Sequence, residues 1–157
     1  MSIIYRPYRN NDFDALVAMV KNLYVEDPGS CRINDRNLKN TVDELCAYPG
    51  KGRIVVFELE QEPVGYALLI NYWSNEYGGN IIIIDELYVI PAQRRKGYAS
   101  RFLKFLRAEE GKTSRGIQLE VGKKNKNARR VYERNGFKPV NNQIMFYDFN
   151  STVRDSQ

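Results

Sequence analysis

No stretch constrains the fold of this chain more than Gln93 to Phe102, which reads Gln-Arg-Arg-Lys-Gly-Tyr-Ala-Ser-Arg-Phe. Ahead of it runs an apolar, β-rich segment, Ile81 to Ile90. Behind it Phe102, Leu103, Phe105 and Leu106 recur at the spacing of a helix face. A strand, a basic turn carrying Gly97 and the small Ala99, and a helix start together make a cradle for phosphate. Residues without bulky side chains let backbone N–H groups approach an anion, and the helix dipole adds partial positive charge at the same place. Arg94, Arg95 and Lys96 add full charges. The turn suits a ligand with several phosphates.

It is neither of the common nucleotide loops. A P-loop needs two glycines followed by Lys and Ser or Thr, and the dinucleotide fingerprint needs three spaced glycines. Arg94-Arg-Lys-Gly97-Tyr-Ala99 instead resembles the Arg/Gln-x-x-Gly-x-Gly/Ala loop with which the GCN5-related N-acetyltransferases, the GNAT family, grip acetyl-coenzyme A. Two further segments resemble that family in order and spacing. Asp85-Glu-Leu-Tyr-Val89 is similar to its fourth strand. Asn125-Lys-Asn-Ala128-Arg-Arg-Val-Tyr132-Glu-Arg-Asn-Gly136-Phe137 is similar to its Asn-x-x-Ala-x-x-x-Tyr-x-x-x-Gly-Phe segment. The resemblance runs from Ile3 to Phe149. It implies acetyl-coenzyme A held along Arg94, Arg95, Lys96, Gly97, Tyr98, Ala99 and Ser100. The competing interpretation is a bare strand-to-helix turn on an unrelated α/β protein.

The order of elements can be read independently. Ile3 to Arg9 reads as a first strand ending near Pro7. Asn10-Asn-Asp12 can cap a helix with Phe13, Leu16, Val17, Val20 and Leu23 on one face, broken at Glu26-Asp-Pro-Gly-Ser30. Asn34-Asp35 caps a second helix through Leu38, Val42 and Leu45, stopped by Pro49-Gly50. Arg53 to Glu60 and Pro63 to Tyr72 form a strand pair with a short link at Gln61-Glu62. Trp73 to Gly79 is a loop. Gly116 to Val121 is a strand, and Asn125 to Asn135 a helix closed by Gly136. Phe137 to Val140 is a candidate short strand, and Gln143 to Phe149 reads as a last strand. No repeat or linker interrupts the chain. The expectation is one α/β (α+β) domain over residues 1–150 with a polar tail at 151–157. Its sheet should be mixed, with helices on both faces. The resemblance implies in addition a mostly antiparallel sheet and a β-bulge in the fourth strand.

Charge divides the 157 residues unevenly. Residues 93–138 carry fifteen Lys and Arg against four Asp and Glu, while residues 1–92 carry eight against thirteen. A basic block of this kind could bind nucleic acid. Its aromatics, however, fall at helical core spacing rather than interleaved on a sheet face. Coenzyme A, with a pyrophosphate and a 3′-phosphate, accounts for the block better, so a nucleic-acid partner is not expected. The acidic remainder suits a cationic acceptor. No segment has the roughly twenty consecutive apolar residues of a membrane span. The start Met-Ser-Ile-Ile-Tyr-Arg lacks a signal-peptide core. Cys31 and Cys46 are not paired in sequence and the chain has no histidine, so no metal site is expected. Two lone thiols, read as packing residues, fit a reducing cytoplasm. A homodimer is one assembly open to such a domain.

Acyl transfer from a thioester to an amine needs a polarised carbonyl, a base and an acid. In the family that this chain resembles, a bulged fourth strand leaves backbone unpaired for pantetheine. On these positions that backbone is Leu87, Tyr88 and Val89, with the Val89 N–H donating to the acetyl carbonyl oxygen. The resemblance makes Tyr132 the acid that protonates the departing thiolate. A phenol near pKa 10 and a thiol near 8.5 make that transfer mildly uphill. Tyr132 is otherwise an ordinary aromatic on an amphipathic helix. Asn125 either bonds the pantetheine arm or simply caps its helix. The base must be a carboxylate: Asp85, Glu86 or Glu76. Asp85 and Glu86 alternate across a strand, so only one should face the cleft; either could instead be half of a salt bridge. Histone-type members carry their base two residues before Asp85, where this chain has Ile83. Small-amine members carry a Glu-Asp pair at Asp85-Glu86. The acceptor, a small or peptide amine, would be met by Tyr24, Glu26, Asp27, Trp73 and Glu76, carboxylates with aromatic walls that suit an ammonium. An acyl-coenzyme A sensor that binds without transfer is the remaining alternative.

Overall fold

The structure, a computed structural model, describes residues 2–29 and 33–149. Cys31 and the tail from residue 150 lie outside the described residues. The chain runs as β1 (Ile4–Pro7), α1 (Phe13–Glu26), α2 (Asp35–Ala47), β2 (Gly52–Leu59), β3 (Glu62–Ser74), β4 (Gly79–Val89), α3 (Tyr98–Glu110), β5 (Gly116–Leu119) and α4 (Lys126–Arg134).

Each boundary has a local cause. The Asn34 side chain accepts the Asn37 N–H at 2.8 Å and starts α2. Gly136, at φ +88°, ends α4 as a left-handed residue following the helix. The β2–β3 link is Glu60-Gln61, one residue earlier than the sequence suggests. Both residues take positive φ, 54° and 69°, as a tight hairpin turn with the twist of its strands requires. Asp12 does not cap α1 with its side chain. Its carboxylate accepts the Arg9 N–H at 2.7 Å and two bonds from the Arg6 guanidinium at 2.7 and 2.8 Å. That buried pair ties the first turn to β1 and holds the Asp12 carboxyl below the usual range.

The five strands lie in sequence order. The first four are antiparallel, and β5 returns parallel to β4 after the α3 crossover. This is the mixed, mostly antiparallel sheet expected. Leu16 and Val20 of α1 and Leu38 and Val42 of α2 close one face, against Ile54 and Leu68. On the other face Phe102, Leu103 and Leu106 of α3 pack on Phe57, Leu69 and Ile82, with Val131 of α4 alongside. Each such side chain contributes about 1.5–3 kcal/mol by leaving water.

Three further expectations fail. Neither Phe137–Val140 nor Gln143–Phe149 forms a strand: the sheet's strands end with β5, and Ile144, Met145 and Phe146 are exposed. Apolar residues in a row give a segment strand-like faces, but a strand also needs a paired edge and a covered face. Cys46 is likewise no packing residue, since it faces solvent on α2.

Candidate active site

The site begins with a break in β4. Leu68 of β3 pairs with Glu86 and Leu69 pairs with Ile84, so Asp85 is the extra residue of a bulge. On the opposite edge β4 pairs with β5 only from Ile81 to Ile84. Beyond the bulge the two parallel strands part, and residues 85–89 keep only β3 as a neighbour. The Ile90 N–H donates to Val64 O on β3 at 2.9 Å. Successive N–H groups point to opposite edges of a strand. The N–H groups of Val89 and Leu87 therefore face the opened side, as a pantetheine arm would need, whereas that of Tyr88 turns to β3. The expected backbone contact at Tyr88 is not available, and its side chain is buried.

The basic turn follows. Arg95, at φ +63°, and Gly97, at φ +78°, both lie in the left-handed region. For arginine that backbone is uncommon, and such conformations gather at ligand clamps. They wind the chain into α3, whose first turn carries no acidic residue and no side-chain cap. The N–H groups of Tyr98, Ala99 and Ser100 lead this helix and have no partner within it. A Cβ on Gly97 would meet nothing nearer than Arg101 Nη1 at 3.4 Å, so the backbone angle, not space, requires glycine here. The side chains divide differently from the sequence expectation. Arg94 donates to Val89 O at 2.8 Å and to Glu26 Oε1 at 2.9 Å, and Lys96 donates to Gln93 Oε1 at 2.7 Å. Arg94 thus braces the turn against α1, and Glu26 is taken up by it. Left-handed backbone, open amides and surrounding cations fit a pyrophosphate.

Below the opened strands lies a cavity of about 260 Å³, lined among others by Tyr24, Asp27, Asp85, Glu86, Glu120 and Tyr132. Asp85 and Glu86 both reach it. The bulge interrupts the two-residue alternation, which is why the expectation of only one carboxylate in the cleft fails. Glu86 Oε1 accepts from the Tyr24 hydroxyl at 2.9 Å and Oε2 from the Tyr66 hydroxyl at 2.7 Å. Burial pushes the Glu86 carboxyl up, while the two phenols pull it back in part. Asp85 opens to solvent within the cleft, yet the cleft walls desolvate its charge and raise its pKa too. Neither is half of a salt bridge among the described residues. Tyr132 packs edge-on against Phe137, and burial, aided by Asp27, pushes its phenol up to about 12. The proton is therefore held more tightly than an ordinary phenol holds it. Asn125 caps α4 through Ala128 N–H at 3.2 Å and donates to Asp27 Oδ2 at 3.1 Å. Its amide has structural partners at both ends.

Trp73 and Glu76 are not brought to the cleft. Trp73 pairs with Asn80 at the far end of the β3–β4 hairpin, five residues or about 16 Å of strand from Asp85. Two residues of the site have no sequence signal: Tyr66, in the middle of an apolar strand, and Glu120, just past β5. A larger cavity of about 530 Å³ lies beyond β5, among Arg107, Arg115, Gly136 and Lys138, and holds none of these groups.

The Acetyltransferase (GNAT) family profile matches residues 17–137, most of the chain and all of the cleft just described. The chain belongs to the GNAT family. An uncharacterized N-acetyltransferase of Bacillus subtilis, YhfO, is 29% identical over 85 residues, which is 54% of this chain and 57% of that protein. The chain thus matches little more than half the length of that relative. A possible acetyltransferase from Clostridium difficile superposes with a TM-score of 0.80 at 25% identity, over 94% of this GNAT chain and 98% of that one. A predicted acetyltransferase from Clostridium acetobutylicum, solved with acetyl-CoA, superposes with a TM-score of 0.76 at 20% identity, over 93% and 96% of the two chains. At that identity the likeness shows the shared fold.

Proposed function

We propose that the protein is an acetyl-coenzyme A-dependent N-acetyltransferase acting on a small cationic primary amine. The observation that carries this reading is the convergence of Asp85, Glu86 and Tyr132 on one cavity at the mouth of the split between β4 and β5. Acetyl-coenzyme A supplies the thioester: the C–S bond breaks, a C–N bond forms, and of the two protons lost by the ammonium nitrogen one ends on sulfur and the other in water.

The residues divide this work as their chemistry allows. The amides of Arg95 to Ser100 bind the pyrophosphate, and the open backbone of Leu87 and Val89 aligns the pantetheine arm. The Val89 N–H donates to the carbonyl oxygen, where negative charge develops. A carboxylate of the Asp85-Glu86 pair accepts a proton from the ammonium, directly or through water. Its raised pKa strengthens it as a base near neutrality. Tyr132 donates to the departing sulfur. With its phenol near 12, full transfer to a thiolate of pKa about 8.5 is uphill by about 5 kcal/mol. The proton must therefore be replaced as it leaves, and the mildly uphill transfer expected from ordinary values becomes a steep one. Asp27, Glu86 and Glu120 give the acceptor end its negative charge, which favours an ammonium, and Tyr24 lines the same end as a neutral wall. The free thiol of Cys46, exposed on α2, suits the reducing cytoplasm as its location.

A thiol-release assay with acetyl-coenzyme A over putrescine, spermidine, lysine, an aminoglycoside and a peptide N-terminus tests the reading. Turnover should be highest with a di- or polycation. Thiol release no faster with any amine than with water would overturn it.

A further inference from the structure

We propose that the two adjacent carboxylates have separate duties: Asp85 takes the proton, and Glu86 is a fixed anion for the acceptor's ammonium, oriented by Tyr66 as a positioning residue. The proposal rests on the N-acetyltransferase reading above and assigns the base within it.

The two side chains sit in one cavity but in different hydrogen-bonding states. Both Glu86 oxygens already accept a phenolic proton, from Tyr24 on α1 and Tyr66 on β3. Tyr66 is 1% exposed and rigidly packed in the core against Tyr88. A proton arriving on Glu86 would force one phenol to turn its O–H away from its acceptor. In a buried site an unsatisfied donor costs about 1–3 kcal/mol. The clamp thus favours the charged form and holds its geometry. Asp85, by contrast, is the residue extruded by the bulge, and no protein donor bonds its carboxylate among the described residues. Its lone pairs are open to water or an ammonium, and burial in the cleft disfavours its charged form. A base needs open lone pairs in reach of the proton, whereas a counter-ion needs permanence.

Protonation of Asp85 transfers one H⁺ from the ammonium nitrogen, directly or through one water, and leaves that nitrogen's lone pair free to attack the thioester carbon. Asp85 then returns the proton to solvent. The titratable groups facing the pair are Tyr24 from α1 and Asp27 directly after it, Tyr66 from β3, Glu120 following β5, and Tyr132 from α4.

The test is a pH–rate profile with the amine of highest kcat/KM among those named above, on wild type, Asp85→Asn, Glu86→Gln, Tyr66→Phe and the Glu86→Gln, Tyr66→Phe double variant. Asp85→Asn should lower kcat about a hundredfold or more near neutrality and move the acidic limb up to the amine's own pKa. It should recover as rising pH frees the amine. Glu86→Gln should keep that limb and raise KM at least about fivefold. Tyr66→Phe should raise KM alone and add nothing in the Glu86→Gln background, a coupling that a purely structural role would not produce. An acidic limb that stays at its wild-type pH in Asp85→Asn, or that is lost from that pH in Glu86→Gln, overturns the division. Additive effects of Tyr66→Phe and Glu86→Gln overturn the positioning role. An inert wild type would instead overturn the functional reading itself, so the two failures are distinguishable.

Discussion

The two ends of β4 are made from one continuous strand and do opposite things. From Ile81 to Ile84 it is paired on both edges, to β3 and to β5, and Ile81, Ile82 and Ile84 are buried. From Glu86 to Val89 it is paired on one edge only, the bulge residue Asp85 has no partner in the sheet, and two carboxylates stand here. In the first half both edges of the strand are taken up by neighbouring strands. In the second, no strand pairs with one edge, where Arg94 takes the Val89 carbonyl and the N–H groups of Leu87 and Val89 face a ligand. The difference between the halves is a single extra residue, Asp85. A bulge turns a structural strand into a binding strand without changing its path through the sheet.

Substitutions on either side of the bulge should therefore separate stability from activity. The largest effect belongs to the paired half. Ile82→Ala empties a site that is 1% exposed and should cost about 2–5 kcal/mol in urea denaturation, with kcat per folded molecule little changed. A proportionate loss of kcat in the folded fraction would break the comparison. Next comes Tyr132→Phe, which keeps the ring's packing on Phe137 and removes the proton donor. It should reduce kcat by about a hundredfold or more, with the dissociation constant of coenzyme A by calorimetry unchanged. An unaltered kcat, at a rate limited by chemistry, would remove Tyr132 from the reaction.

Gly97→Val tests the basic turn, at a position whose φ of +78° a β-branched residue resists. Coenzyme A binding should weaken at least about tenfold, or 1.4 kcal/mol. Normal affinity would mean that the pyrophosphate lies elsewhere. The smallest effect is expected from the cysteines. The Cys31→Ser, Cys46→Ser double variant should keep its activity within about twofold, with intersecting initial-rate patterns. Cys46 is exposed on α2 and does not line the cavity, so no covalent acetyl-enzyme is expected there. Parallel patterns, or an acetylated cysteine found by mass spectrometry, would contradict direct transfer.

Much of this could be read from contiguous residues. The basic turn, the helices with their Asn34 and Asn125 caps, the β2–β3 hairpin and the bulged fourth strand all stand where the sequence and its resemblance put them. The misreadings share one cause. The alternation of Asp85 and Glu86 was sound for a regular strand and failed at the bulge. Arg94 reads as a phosphate ligand from its position in the turn, but Glu26, 68 residues away, holds it. Trp73 and Glu76 look suitable by composition, and the length of the hairpin carries them away from the cleft. Gln143–Phe149 has the residues of a strand and no strand beside it.

The sequence by itself determined the local chemistry: where phosphates can be held, which helix carries Tyr132, and that two carboxylates stand next to each other on one strand. These depend on neighbours along the chain, whose geometry is set by backbone sterics and capping. Only the tertiary structure decided how those groups are used. The bonds from Tyr24 and Tyr66 to Glu86 span 62 and 20 residues, and the bulge exists only as a register between β3 and β4. Proton affinity is set by burial and by hydrogen-bond partners, and both are properties of packing between distant segments. Two adjacent acids of similar intrinsic strength can therefore become a base and a fixed counter-ion.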